Sequence, residues 1–291
     1  MTTPPQAAGP NAEQITYWNA TAGPKWVALQ ERLDTHIREL GESAMHRVGI
    51  RTGERVLDVG CGTGQTTLEL ARRVGPEGNV LGIDVSAPML ARARQRAAAA
   101  GDANVAFLEA DAQTHRFDAP GIDVCFSRFG VMFFADPAAA FANLGTALRP
   151  GARLGFVCWQ SLPENPWMFV PLSAAAQHTT LPPPPGPDAP GPFSFADAAR
   201  VRRVLEAGGF SNVVLEDHRT TLSVGGSSTI EEAVEFLLYG VGPTSAALRE
   251  ADPAVRPVVA GAVREALAPY HTPGGVRMPA AAWLVTATRG S

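Results

Sequence analysis

One lysine, Lys25, serves a chain of 291 residues, and every other basic side chain apart from the histidines is arginine. Schiff-base chemistry is thereby removed from all but the N-terminal region, and the arginine bias itself reads as genomic composition. Cysteine is sparse as well. Cys61, Cys125 and Cys158 are scattered and odd in number, which argues against a disulfide framework, a zinc cluster or any other metal site. No apolar run is long enough to span a bilayer, and Met1 to Pro10 lacks a basic segment followed by an apolar one. A cationic surplus is missing too: the formal net charge is -4, which leaves no electrostatic footprint for nucleic acid. These absences point to a soluble, cytoplasmic bacterial protein without a nucleic-acid partner.

What is present is globular: 45% hydrophobic and 18% charged residues, in a length that suits one large α/β domain with insertions or two modest ones. From Ala12 the residues Tyr17, Trp18, Trp26, Leu29, Leu33, Ile37 and Leu40 recur at roughly helical spacing, with Gly41 as the expected break. Beyond Arg55, strands and helices alternate. Strands are expected at 55–59, 79–84, 104–109, 122–126 and 153–159, and helices at about 64–74, 87–100 and 137–148. Such alternation predicts a doubly wound, mostly parallel sheet with helices on both faces and a ligand site beyond the strand ends. The rhythm then breaks over 160–192, where Pro182 to Pro187 predicts an extended surface segment. It resumes with helices at about 195–207, 229–239 and 246–268 and strands near 212–217 and 281–288. The organisation read from this is an N-terminal helical arm (1–50) and a domain (51–291) with cap insertions at about 160–192 and 222–275.

Val56-Leu57-Asp58-Val59-Gly60-Cys61-Gly62-Thr63-Gly64 delivers an acid and three alternating glycines into a strand-to-helix turn. Glycine permits the positive φ and close backbone approach that a ligand needs there. A dinucleotide loop wants a small third residue where Gln65 stands, and no Gly-Lys-Ser/Thr follows, so neither a dinucleotide fingerprint nor a P-loop is present. Asp58 beside the turn repels a pyrophosphate and suits a ligand carrying an ammonium and a sulfonium. Asp84 ends the next strand, where a carboxylate accepts ribose hydroxyls or, alternatively, helps cap the following helix. Asp111, at the next strand edge, can accept a hydrogen bond from the exocyclic amine of adenine or, alternatively, is an ordinary loop acid.

Taken in order, Val56 to Gly64, Asp84, Asp111-Ala112, Asp123 to Phe129 and Leu148 to Leu154 resemble the successive motifs of class I S-adenosylmethionine-dependent methyltransferases, closest to the ubiquinone/menaquinone-biosynthesis type. The resemblance implies a Rossmann-like seven-stranded sheet with one antiparallel strand, placed at 281–288. It implies S-adenosyl-L-methionine as cofactor and S-adenosyl-L-homocysteine as product. Gly60, Gly62 and Gly64 are then expected to line the methionine and ribose portion, Asp84 the ribose, Val85 and Met89 the adenine face, and Asp111 and Ala112 the adenine edge. Ser127 falls after the fourth strand, near the methionine moiety, and Tyr17 and Trp18 match an N-terminal aromatic cover.

Methyl transfer is an in-line displacement in which the protein aligns the reacting atoms and excludes water, so no side chain is obligatory. Where a general base is used, His178, His115 and His271 are the candidates, each equally readable as a surface histidine. Trp159, Trp167, Met168, Phe169, Phe236, Leu237, Leu238 and Tyr239 either line a pocket for a hydrophobic or aromatic small-molecule acceptor or seal the caps onto the sheet. Arg128 either holds an acidic acceptor or flanks the cofactor. Thiol-dependent arsenic methylation is disfavoured because Cys125 and Cys158 fall in expected strands and Cys61 in the turn. Two other readings stay open: a nicotinamide-dependent oxidoreductase, and a non-catalytic cofactor-binding homologue.

Overall fold

The computed structural model describes residues 9–118, 120–186, 188–249 and 251–290. Met1 to Ala8, and Pro187 of the proline run, lie outside the described residues. The strands are β1 (Arg55–Val59), β2 (Asn79–Asp84), β3 (Val105–Glu109), β4 (Ile122–Arg128), β5 (Leu148–Trp159), β6 (Phe210–Ser223), β7 (His271–Thr272) and β8 (Gly275–Arg289). The sheet runs β3-β2-β1-β4-β5-β8-β6, with the two-residue β7 paired to β8 off this path. Neighbours from β3 to β5 are parallel, while β8 is antiparallel to both β5 and β6. The seven-stranded, mostly parallel sheet with one reversed C-terminal strand is therefore present, and the reversed strand starts at Gly275, earlier than expected. Strand order turns back between β1 and β4, which opens a crevice beyond their carboxyl ends.

Five phenylalanines are buried in the core, four of them clustered around one helix. Phe141 on the helix Pro137–Ala147 meets Phe156 at 5.9 Å, Phe195 at 6.2 Å and Phe210 at 6.0 Å between ring centroids, and Phe126 is fully buried. The helix Gln30–Val48 lies across β5 because Gly155 has no Cβ; one placed there would stand 2.5 Å from the Val48 Cβ.

Several expectations need correction. Gly41 does not break the arm: it sits inside the helix Gln30–Val48, and the chain instead bends at Leu29 and stops at Gly49, whose φ of +70° ends the helix in the left-handed region. The arm upstream is three short pieces, Ala12–Tyr17, a π-turn Trp18–Ala22 and Gly23–Ala28. The first insertion also holds the helix Pro166–Ala176, which the sequence reading did not place. Its position is set by Asn165, whose amide donates to the Ala281 carbonyl (3.0 Å) and whose Oδ1 accepts from Ala281 N–H (3.1 Å). The long helix expected over 246–268 is divided into Pro243–Ala247 and Arg256–Leu267, with a 3-10 turn between them.

Candidate active site

β1 runs out at Val59 and the chain turns through Gly60 (φ +68°) and Gly62 (φ +56°). A Cβ on Gly60 would stand 2.7 Å from the Gly130 Cα, and one on Gly62 would stand 2.8 Å from the Met89 Cε. At Gly60 backbone thus passes against backbone at the switch point, a packing open to glycine. Gly64 precedes the helix Gln65–Val74, whose side chain Gln65 accepts a hydrogen bond from the Arg128 guanidinium. The residue that departs from the dinucleotide pattern is therefore paired to an arginine at the end of β4. Next to it, Phe129 adopts φ +62°, an uncommon conformation for an aromatic, and stacks on Trp159 at 4.2 Å.

The three acids sit in different environments. Asp58 is fully buried: its Oδ2 accepts from the Thr66 and Thr67 hydroxyls, both at 2.7 Å, and its Oδ1 has no partner. Burial pushes its carboxyl up to about 6, against the opposing pull of the two threonine hydroxyls. Asp84 accepts from Gly62 N–H through Oδ2 and from Ser86 N–H through Oδ1, both at 2.8 Å; burial again raises its pKa. Asp111 accepts from the Asn11 amide (2.9 and 3.0 Å) and from Gln113 N–H (2.9 Å). Asn11 also receives Ala135 N–H at 2.8 Å, so the start of the arm is tied both to Asp111 and to the segment after β4. A second tie lies beside Asp84, where Asn19 donates to the Val85 carbonyl (2.8 Å) and accepts from Ala87 N–H (3.0 Å).

These elements enclose one cavity of about 860 Å³. Tyr17, Trp18, Gly60, Gly62, Asp84, Val85, Met89, Asp111 and Ala112 all line it. Asp58, on β1, and Gly64, the last glycine of the turn, are not part of its wall. Ser127 stands apart as well: it belongs to β4 instead of following it, and its hydroxyl donates to the Val59 carbonyl (2.8 Å) and accepts from Gly130 N–H (3.2 Å). His115, His178 and His271 are not on the wall. Of the apolar acceptor candidates, Trp159, Trp167 and Met168 line it; Phe236, Leu237 and Leu238 are buried elsewhere, and Phe169 (43% exposed) and Tyr239 (51%) face outward. The prolines 182–185, exposed as expected, also border the cavity. Lys25 and Arg249 stand on its wall, and burial, followed by the nearby Arg249 and Arg256, lowers the Lys25 pKa.

Sequence reasoning missed Asn11, Asn19, Gly130 and His36. The asparagines act across long sequence separations and carry no local signal. Gly130 follows the motif strand and is readable only as the partner of Gly60. His36 lies three residues after Leu33 and next to Ile37 in the arm's buried stripe, so its helical spacing was the available sign.

Residues 56–151 match the family model of the methyltransferase domain. The chain is 36% identical over 135 residues to the aklanonic acid methyltransferase DauC of Streptomyces sp. (strain C5), a match covering 45% of this chain and 61% of that protein. It is 33% identical over 140 residues to the nocamycin O-methyltransferase of Saccharothrix syringae, covering 48% and 50%. To the ubiquinone/menaquinone biosynthesis C-methyltransferase UbiE of Cellvibrio japonicus (strain Ueda107) it is 38% identical over 118 residues, covering 40% and 47%. Each match spans less than two thirds of the relative's own length. Among solved structures, the YcgJ protein from Bacillus subtilis superposes with a TM-score of 0.55 at 15% identity, covering 87% of this chain and 99% of that one. The [4+2]-cyclase SpnF superposes at 0.51 with 21% identity, covering 87% and 80%. The fold is shared with both, and the second shows that likeness of fold by itself does not assign methyl transfer. The chain carries a methyltransferase domain on a Rossmann-like sheet, and its resemblance to S-adenosylmethionine-dependent methyltransferases, the ubiquinone/menaquinone type among them, holds in these comparisons.

Proposed function

We propose that this chain is an S-adenosylmethionine-dependent methyltransferase that moves a methyl group to a hydrophobic or aromatic small molecule. The observation that carries the reading is one continuous cavity wall, which runs from the glycine turn, Asp84 and Asp111 to the apolar side chains Trp159, Trp167 and Met168. The polar end suits the nucleoside, and the apolar end suits the acceptor. Asp84 receives the ribose hydroxyls on the lone pairs left by its two backbone bonds. Met89 and Val85 pack on adenine, Ala112 addresses its edge, and Asp58 balances the positive ligand from behind the turn. Ser127 shapes the turn from behind. Tyr17 and Trp18, on an arm (1–50) held by Asn11 and Asn19, cover the cofactor, and the insertions 160–192 and 222–275 close over the acceptor.

The cofactor when bound supplies an electrophilic methyl group on a sulfonium. The chain's own contribution is alignment and exclusion of water, for which the apolar wall and the arm serve. Isothermal titration with S-adenosylmethionine and S-adenosylhomocysteine tests the reading: binding at sub-millimolar concentration is expected, and its absence sinks it. Thermal shift with NAD(H) and NADP(H) alongside excludes or establishes the nicotinamide alternative, since the true ligand raises the melting temperature. Turnover against a panel of phenols, polyketide-like acids and quinols then separates an enzyme from a binding homologue.

A further inference from the structure

Lys25 and Arg249 stand on the cavity wall, and among the described residues neither forms an ion pair. Lys25 lies on the helix Gly23–Ala28 and Arg249 just beyond the helix Pro243–Ala247, so two segments far apart in the chain bring them to one wall. Arg249 is exposed and also lines the cavity, which puts it where the cavity opens to solvent. Its guanidinium carbon stands over the ring of Tyr17, 5.6 Å from the centroid, and Tyr17 is itself on the wall. An arginine held over a ring face keeps N–H donors for a second partner. Lys25 is half-buried, and the charges that act on it are Arg249 and Arg256, both positive. Like charges gathered this closely raise each other's free energy, and an anion between them removes that cost. The acids of the same wall do not supply it: Asp84 receives Gly62 and Ser86 N–H, and Asp111 receives the Asn11 amide and Gln113 N–H.

We propose that Lys25 and Arg249 form an anion subsite at the mouth of the cavity, and that the acceptor carries a carboxylate on an aromatic or otherwise apolar body. The carboxylate bridges the ammonium and the guanidinium, while the body reaches inward along the apolar side chains Trp26, Trp167, Met168 and Leu172. A carboxylate offers two charged acceptor oxygens, one for each cation, whereas the corresponding amide offers a single carbonyl oxygen and no charge. The inference rests on the methyltransferase reading of the cavity and names its substrate class.

The test uses full-length protein saturated with S-adenosylhomocysteine and two probes of nearly one shape, 2-naphthoate and 2-naphthamide. Wild type is expected to bind 2-naphthoate about tenfold more tightly at low salt, the scale of one hydrogen bond to a charged group, and to lose that preference as salt is added. Lys25→Met and Arg249→Met should each shrink the ratio severalfold. Because either variant can misfold, a second measurement keeps the wild-type sequence: as the sole lysine, Lys25 gives one side-chain signal after reductive 13C-methylation, and its titration midpoint should rise with 2-naphthoate and stay in place with 2-naphthamide. Wild type that binds both probes equally or neither, or a midpoint indifferent to 2-naphthoate, overturns the proposal. A loss of S-adenosylhomocysteine affinity in Lys25→Met or Arg249→Met at unchanged stability also overturns it, because the pair would then hold the cofactor's own carboxylate. Failure of wild type to bind S-adenosylhomocysteine, seen in a titration without either probe, sinks the methyltransferase reading and this one with it.

Discussion

Gly130 and Gly60 hold the glycine turn by having nothing to offer but backbone. A Cβ on Gly130 would lie 2.6 Å from the Val59 carbonyl oxygen and 2.9 Å from the Gly60 Cα, and neither backbone atom can step aside as a flexible side chain would. Gly130→Ala is therefore expected to lower unfolding free energy by about 1 to 3 kcal/mol, the usual cost of overpacking, and to weaken S-adenosylhomocysteine binding as the turn shifts. Urea denaturation and isothermal titration check the two effects; a variant matching wild type in both shows the contact to be slack. Asp84 poses a different question, because its carboxylate already receives Gly62 and Ser86 N–H. Asp84→Ala should weaken S-adenosylhomocysteine binding by about 1 to 3 kcal/mol through unpaired ribose hydroxyls and a loosened turn. Unchanged affinity would assign Asp84 to the turn alone.

The N-terminal arm brings Tyr17 and Trp18 to the cavity wall, and its hold is polar. Asn19 bridges the Val85 carbonyl and Ala87 N–H, the Ser86 hydroxyl donates to the Trp18 carbonyl at 2.9 Å, and Asn11 grips Asp111. Asn19→Ala leaves Ala87 N–H and the Val85 carbonyl without these partners, a loss of about 1 to 3 kcal/mol in docking. The arm should then be nicked by protease about tenfold faster, with S-adenosylhomocysteine slowing the cleavage less than in wild type. Identical digestion of the two proteins would show that the apolar contacts of Trp26 and Leu29 suffice. None of these ties was legible in the sequence, because an asparagine that works across 66 or 100 residues looks like any loop asparagine. What was legible was periodic: β1 and β2 read residue for residue because buried parallel strands are short apolar runs between turn residues. β6 was read too short, since its edge face exposes Arg219 and Thr221 and the apolar run dissolves into alternation. Over 160–192 the proline run was legible as an extended, exposed segment, whereas the helix Pro166–Ala176 was not, because Pro166 opens it and Pro171 is accommodated inside it. Gly41 misled in the opposite sense: it keeps clear of the Arg128 side chain, whose Cδ would stand 3.0 Å from a Cβ, and breaks nothing.

At the scale of the whole molecule, two buried titratable groups impose opposite dependences of stability on pH. Burial lowers His36 from the ordinary 6.5 to about 4, so between those values the unfolded chain binds the extra proton and stability falls as pH falls. Asp58 runs the other way. Burial raises it from 3.8 to about 6, so the folded chain binds the extra proton in that window and stability rises as pH falls. The two windows nearly coincide, and in wild type the two contributions offset each other between pH 6 and pH 4. Single substitutions uncover them. At 1.36 kcal/mol for each pH unit separating folded and unfolded values, His36→Phe should gain about 3 kcal/mol of stability relative to wild type on going from pH 7 to pH 4. Asp58→Asn should lose about as much relative to wild type over the same interval. Every other carboxylate is common to the three proteins and cancels in the differences, so urea unfolding at pH 7 and pH 4 isolates the two groups. Curves that stay parallel across that range would mean that neither group is held in the protonation state its burial demands. The offset also bears on the site: Asp58→Asn should stabilise the unliganded protein at neutral pH while weakening S-adenosylmethionine more than S-adenosylhomocysteine, because the sulfonium is where the lost charge acts.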